Sequence, residues 1–503
     1  MKKIAAILVM LALVCGIAVY VAVVPKLKAE REAEVAAFLA SLPGEVKAGG
    51  ITVELLPGNI ILRDITGRFV GPDNSSLEFS APEFTVMGLT QDLPEQGGPV
   101  KLAHSIAASG LTLTLAHKFG ESDAPGALVR EELQVAGFIM RDVVGDGALL
   151  LDCLRPDVSL TQRLRAAAGF SAASFQVTGY SKNIMLPLVG QVHFKAKNLT
   201  LRDLRLFGIG KGIWEGLSAG IQDKELLSLA RISVDGLSLP DFSGPLLELE
   251  QNPEVDFKTG ILAALEKEPI SLSNLELIDL KLDLFSGERL TAKRLYFDVQ
   301  GALNKTHLRH ATEALSIPSG LLAFFGEDGS NFAKVYGKEL LLDAQADLSA
   351  SHTGGKGEIE VTQCALQAAD LASLTIEGLL LYEGEGEAEY FDSDLKLALK
   401  RGALLLTEKN LVEYALRASM PGSEQLDAQQ LEVMRRHLAD SVRIDAQNSI
   451  GEGGQRILEG LAQLVEKPGS LRVVCAPAEA LWFDDADMLN KLKPEVEFVP
   501  AAQ

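Results

Sequence analysis

Apolar and polar positions change rhythm three times along this chain. Lys2 and Lys3 precede an uncharged apolar run from Ile4 to Val24. At about 1.5 Å per residue a helix over that run is roughly 30 Å long, the thickness of a bilayer's hydrocarbon core. A cleaved signal peptide wants small residues at its selective cleavage positions, and the nearest candidate offers Tyr20 and Ala22. A lipoprotein site at Cys15 wants a small residue where Val14 stands. The run therefore predicts an uncleaved transmembrane anchor over residues 1–25. Lys26, Lys28 and Arg31 oppose Lys2 and Lys3 in setting its orientation, but the short N-terminal flank and long acidic body favour an inside N-terminus.

After Pro25, KLKAEREAEVAAFLASL has Leu27, Val35, Phe38, Leu39 and Leu42 as its apolar positions, which predicts a helical linker over 26–49, broken at Pro43-Gly44. Ile51, Val53 and Leu55 then alternate with polar residues, the period of a half-buried strand. Short alternating runs and glycine-containing turns continue through 50–400, with helices expected at 158–168, 213–229 and 255–267. The last stretch, 401–503, turns helical at 408–419, 424–440, 450–466 and 484–492, around a strand at Leu471–Val474. The expected class is α+β: an N-terminal transmembrane helix, a long bulged and curved antiparallel sheet of repeated units, and a helical C-terminal region.

The repeated unit is short. NIILRDI (Asn59–Ile65), NLTLRDL (Asn198–Leu204), GLSLPDF (Gly236–Phe242) and NLELIDL (Asn274–Leu280) share one form, and the last three begin 38 residues apart. A degenerate copy, ALSIPSG, begins at Ala314. A fixed period implies stacked supersecondary units. Within NLELIDLKLDL, Leu275 and Leu277 have one parity and Leu280, Leu282 and Leu284 the other; Leu199 and Leu201 part from Leu204 and Leu206 in the same way. Strand side chains alternate faces, so one apolar face survives only with an extra residue, a β-bulge, at the step before Asp.

Net charge is −21, which argues against nucleic acid and against anionic headgroups. Two Trp and seven Tyr make an aromatic sugar platform a poor expectation. Cys153, Cys364 and Cys475 are far apart and odd in number, so unpaired thiols are expected, with one long-range disulfide as the alternative. GIGKGIWEG (Gly208–Gly216) lacks the phosphate-loop ending and reads as a glycine-rich turn into a helix. His307 and His310 could share a metal but have no third ligand nearby and read as surface histidines. The run Glu377, Glu383, Glu385, Glu387 and Glu389 lacks calcium-loop order and reads as a solvated face. Asp484, Asp485 and Asp487 read as charge at a helix N-terminus. No catalytic residue, cofactor site or metal site emerges, and no enzyme is expected. The C-terminal stripes Leu431/Met434/Leu438 and Ile457/Leu461/Leu464 predict helices that pack on each other or on the sheet, or dock on a partner.

One N-terminal anchor, a helix, then long runs of Leu-x-Leu-x-Asp-Leu strands over residues 1 to about 350 resemble the AsmA-like superfamily of Gram-negative envelope proteins. The resemblance implies an inner-membrane, single-pass protein with a cytoplasmic N-terminus and a periplasmic body. It also implies a curved sheet that carries phospholipid acyl chains in support of the outer membrane. The helical last hundred residues depart from that pattern. On this reading Leu201, Leu239 and Leu277 represent the lipid-facing groove. The alternative is a scaffolding envelope protein, its sheet covered by its own helices and its C-terminal helices binding a protein partner.

Overall fold

A computed structural model describes residues 28–42, 44–54, 58–70, 76–89, 100–118, 128–146, 169–186, 190–205, 207–241, 270–284, 287–302, 305–322, 326–353, 355–383, 396–419, 426–448, 451–485 and 488–501. It is mostly antiparallel β-sheet with a few helices. The apolar run 4–24 and the expected helices 158–168 and 255–267 lie outside the described residues. Among those residues, no helix is long and apolar enough to cross a membrane. The chain divides into two compact units, Met1–Leu275 and Glu276–Gln503.

The first unit begins with helix α1 (Lys28–Ser41), followed by strands β1 (Glu45–Lys47), β2 (Gly50–Glu54), β3 (Asn59–Val70), β4 (Ser76–Met87), β5 (Val100–Lys118) and β6 (Leu128–Gly145). It continues with β7 (Ser171–Leu186), β8 (Gly190–Arg205), β9 (Gly208–Ile209), β10 (Lys211–Ile221), β11 (Lys224–Val234) and β12 (Gly236–Ser238), and ends within β13 (Ser271–Asp283). From β3 to β8 each strand pairs antiparallel with the next. The expected helix at 213–229 is instead the hairpin β10–β11, turned at Gln222-Asp223 with Gln222 at φ 55°. Its apolar residues fit both periods, and the lack of an Asn-Gly or Asp-Gly pair hid the turn.

The core of this unit shows where the parity changes. In β3, Ile60 and Leu62 are buried, Arg63 and Asp64 are both exposed, and Ile65 is buried again; in β4, Phe79 and Ala81 give way to Phe84 and Val86 across Pro82 and Glu83. Asp64 has the left-handed φ of 51°. The ladder nevertheless keeps its register, Arg63↔Glu83 before the step and Ile65↔Ala81 after it. The extra residue expected at the Asp step is thus matched by one in the neighbouring strand, so both strands turn over together.

The step continues across the unit as two lines of left-handed residues. Asp64, Gly110, Gly179 and Gly216 lie on one, and Gly88, Asp142 and Asp203 on the other. They occur in alternate strands, opposite residues such as Pro82, Ala136 and Lys197, and a Cβ on Gly179 would lie 2.7 Å from that of Ala136. On β6 and β8 the lines are six residues apart (Ala136 to Asp142, Lys197 to Asp203), about 20 Å of strand. Between them each strand from β3 to β8 turns two apolar residues to one face, as Phe138 and Met140 do on β6 and Leu199 and Leu201 on β8. α1 packs here through Val35, Phe38 and Leu39, in one buried cluster with Val53, Ile60 and Leu62. Burying each such side chain contributes about 1.5–3 kcal/mol.

The second unit holds β14 (Arg289–Ala302), β15 (Lys305–Ile317), α2 (Ser319–Leu322), α3 (Gly326–Tyr336), β16 (Leu340–Thr353), β17 (Lys356–Ala368), β18 (Ala372–Glu383) and β19 (Lys396–Glu408). Then come α4 (Leu411–Ser419), α5 (Ala428–Asn448), α6 (Glu452–Glu466), β20 (Gly469–Cys475), β21 (Leu481–Trp482), α7 (Met488–Lys491) and β22 (Glu495–Pro500). Strands β14 to β20 pair antiparallel in chain order, and β22 pairs with β20. Here the bulges do shift register, and they fall in alternate strands: at Glu313-Ala314 of β15, Thr362-Gln363 of β17 and Lys400 of β19. α6 lies on β20 and β22, where Gly460 meets Leu471 and Val496.

Candidate functional site

Register assigns every side chain of β14–β20 to a face. One row runs Phe297, His310, Ala346, Cys364, Ile376, Leu404, Val473. The row beside it runs Leu295, Thr312, Ala344, Leu366, Leu374, Leu406, Leu471. On the other side Val299, Leu308, Leu348, Val361 and Gly378 form a third. None of these residues carries a fixed charge. The bulges keep the rows on one face, since each takes up the odd residue that would turn leucines outward.

Cover over these rows is uneven. At the β20 end Leu471 is fully buried and Val473 nearly so, in a cluster with Leu464 of α6 and Leu492. Toward the middle Leu366 is 46% and Ile376 38% exposed. Ala344, Ala346 and Gly378 keep this stretch low beside Phe297, Leu366 and Leu374. The result is an uncharged strip, partly open, bounded on one side by the C-terminal helices.

The opposite face of the same strands carries the charges, although Leu341 and Leu405 are also exposed on it. His307 Nε2 lies 2.6 Å and Arg309 Nε 3.3 Å from the Asp347 carboxylate. The hydrogen bond from His307, then the charges of His307 and Arg309, hold Asp347 below the usual aspartate range. Asp298 is buried and accepts from Tyr296 Oη and Gln300 Nε2, each at 3.2 Å. Burial, then the Asp298 charge, push the Tyr296 phenol up. Arg294 reaches Glu276 at 2.6 Å and Glu313 at 2.8 Å. Arg294 thus has two carboxylate partners, whereas Asp298 Oδ1 is buried without a hydrogen-bond partner among the described residues.

Leu201 is 7% exposed, among the buried apolar residues of the first unit. Leu239, 36% exposed, lines a cleft of 540 Å³ with Asp203, Arg205 and Asp241. Leu277 is half-buried on β13. Leu201 and Leu239 belong to the first unit and Leu277 to β13, the strand before the rows traced above, whose leucines and isoleucine fall outside the Asp-containing repeats. Three uncharged residues at alternating positions in successive strands were the signal for those rows.

His307 and His310 lie on strand β15, not on a helix; three residues apart, they point to opposite faces, the His310 ring lying 4.5 Å from that of Phe297 and tilted by 38°. No cluster of metal-binding side chains occurs among the described residues. Gly208–Gly216 leads into strand β10 rather than a helix. Glu377 and Glu383 lie on β18, Glu383 paired with Lys356 at 2.6 Å, while Glu385, Glu387 and Glu389 lie outside the described residues. Asp485 pairs with Lys491 at 2.5 Å; Asp487, like Cys153, lies outside the described residues. Cys364 and Cys475 are free thiols, and burial pushes Cys475 up. No protein-family model matches the chain, and no curated protein does.

Proposed function

We propose that this chain is a non-enzymatic envelope protein whose uncharged β-face shelters phospholipid acyl chains. It is anchored in a Gram-negative inner membrane by residues 4–24, with a cytoplasmic N-terminus and a periplasmic body. The observation that carries the reading is the strip through Leu366 and Ile376: contiguous, uncharged and partly open, with the ion pairs of the same strands on the other face. Contiguous apolar surface left open to solvent supports an interaction site. Methylene groups need no directional partner, which fits a strip without polar anchors. The bulged strands support the curved sheet that such a role calls for.

A phospholipid with a photoreactive diazirine in its acyl chain, fed to cells that carry the full chain, tests this. Label is expected in peptides of β15–β18 as well as in the anchor. Label confined to the anchor would overturn the proposal. A scaffolding role has its own support in α5, which leaves Val433, Leu438 and Ile444 exposed. It predicts a reproducible protein cross-link from those positions and no acyl label on the sheet.

A further inference from the structure

Helix α5 is seated off its own apolar stripe. Leu431, Met434 and Leu438 recur at helical spacing, yet the helix buries Leu431, Arg435, Ala439 and Ala446, and Leu438 remains 39% exposed. At about 100° per residue the two faces are centred roughly 70° apart.

The main packing partner of α5 is α6, while Arg435, on the buried face, is tied to the sheet. Its Nη2 donates to Glu408 Oε1 at 2.8 Å, both side chains nearly fully buried. Glu408 ends β19 on the uncharged face, two residues beyond Leu406 and opposite Ala372. The same oxygen accepts from the Val412 backbone N–H at 3.1 Å in the first turn of α4. The pair is only half satisfied: Glu408 Oε2 and Arg435 Nη1 are buried without a hydrogen-bond partner among the described residues. A buried ion pair is weak as a source of stability, and its best-attested use is to fix register or a switch. Ala439 and Ala446 add little apolar area. The other ionic ties of α5, from Arg443 to Glu466 and Asp440 and from Arg436 to Glu432, are partly or largely exposed and screened. The observed seating therefore gains an ion pair at the expense of leucine burial. Rotation by roughly 70° would turn Met434 and Leu438 inward and draw Arg435 off Glu408.

We propose that α5 is a rotating lid beside the uncharged strip, held back by the Glu408–Arg435 pair. On release its Leu431–Met434–Leu438 stripe covers the strip near Leu374 and Ile376 and competes with acyl chains. The competition rests on the acyl-chain reading above; the rotation does not. The native thiol of Cys364, half-buried on the strip next to Ile376, gives a reporter. In the full chain carrying Leu438→Cys, a short bismaleimide should join the introduced thiol to Cys364 in low yield. Adding Arg435→Met should raise that yield several-fold and weaken binding of a fluorescent fatty-acid probe by a similar factor. Glu408→Gln keeps an acceptor for Val412 while removing the charge, and should do the same if Arg435→Met does not fold. Unchanged cross-linking in both variants would overturn the lid. Raised cross-linking with undiminished probe binding would overturn the competition. Raised cross-linking with no probe binding in any form would leave the rotation standing and count against the acyl-chain reading.

Discussion

Single residues decide how the strands turn over. Asp203 sits at φ 51° on β8, its carboxylate against Gly210, in a region that costs most L-residues about 1–2 kcal/mol and that Asp and Asn enter most readily. Asp203→Val should therefore destabilise the first unit by about that amount, whereas Asp203→Asn should be close to neutral. The chain's two tryptophans, Trp214 and Trp482, fall one in each unit, so urea unfolding of a Trp482→Phe background reads the first alone. Equal losses from Val and Asn would show that the side chain's contacts, not its backbone, matter there. At Asp347 the issue is charge. His307 and Arg309 depress its folded pKa, so its contribution is fully present above the unfolded value near 3.9 and is lost as pH falls through the folded value. Asp347→Asn should flatten the acid limb of second-unit stability, followed by Trp482 fluorescence in a Trp214→Phe background. An acid limb as steep as the parent's would remove Asp347 from the account.

At the scale of elements, close approach outweighs intrinsic preference. Gly460 lies inside α6, where Ala would gain about 1 kcal/mol of helix propensity. Its Cβ, however, would come within 2.6 Å of Leu471 Cδ1 and 2.7 Å of Val496 Cγ1, and Leu471 is fully buried with nowhere to move. Overpacking costs about 1–3 kcal/mol, so Gly460→Ala should lower the second unit's urea midpoint; a raised midpoint would mean that α6 is free to lift. Elements were legible in the sequence where one period dominated. The step at Asp203 and Asp279 was visible as a parity change that called for an extra residue; that a neighbouring strand would match it, as β4 does at Asp64, was not. Nor was its course through the sheet. The step at Asp142 lies in GFIMRDV, where Phe138 and Met140 replace the aliphatic residue and the leucine of the other copies, and the remaining steps use glycine. Asp241, in the middle of the three equally spaced copies, does not have the left-handed backbone at all. The offset seating of α5 was hidden for another reason: an apolar stripe shows which face hydrophobicity would bury, and this helix also buries Arg435 in an ion pair with Glu408.

For the whole molecule the question is what two differently finished sheet faces are for. In the first unit Ile60, Leu62, Val86 and Val143 are all fully buried, and a charge on that face would unfold the unit rather than test a function. The second unit's strip is different, because Leu366 and Ile376 already meet solvent. Replacing an exposed side chain away from a tightly packed contact changes stability by only about 0.5 kcal/mol. A glutamate there should leave the unit folded while placing a charge where methylene groups would lie, which is costly for any site that excludes water. Leu366→Glu and Ile376→Glu should each abolish acyl-chain photolabelling of β15–β18 while leaving labelling of the anchor and the urea midpoint near the parent's. Leu239→Glu, on the cleft beside Asp203 and Arg205, should change neither. If instead Leu239→Glu removed the label and the strip variants kept it, the acyl chain would lie in the first unit, and the partly open strip would have to answer to a protein partner.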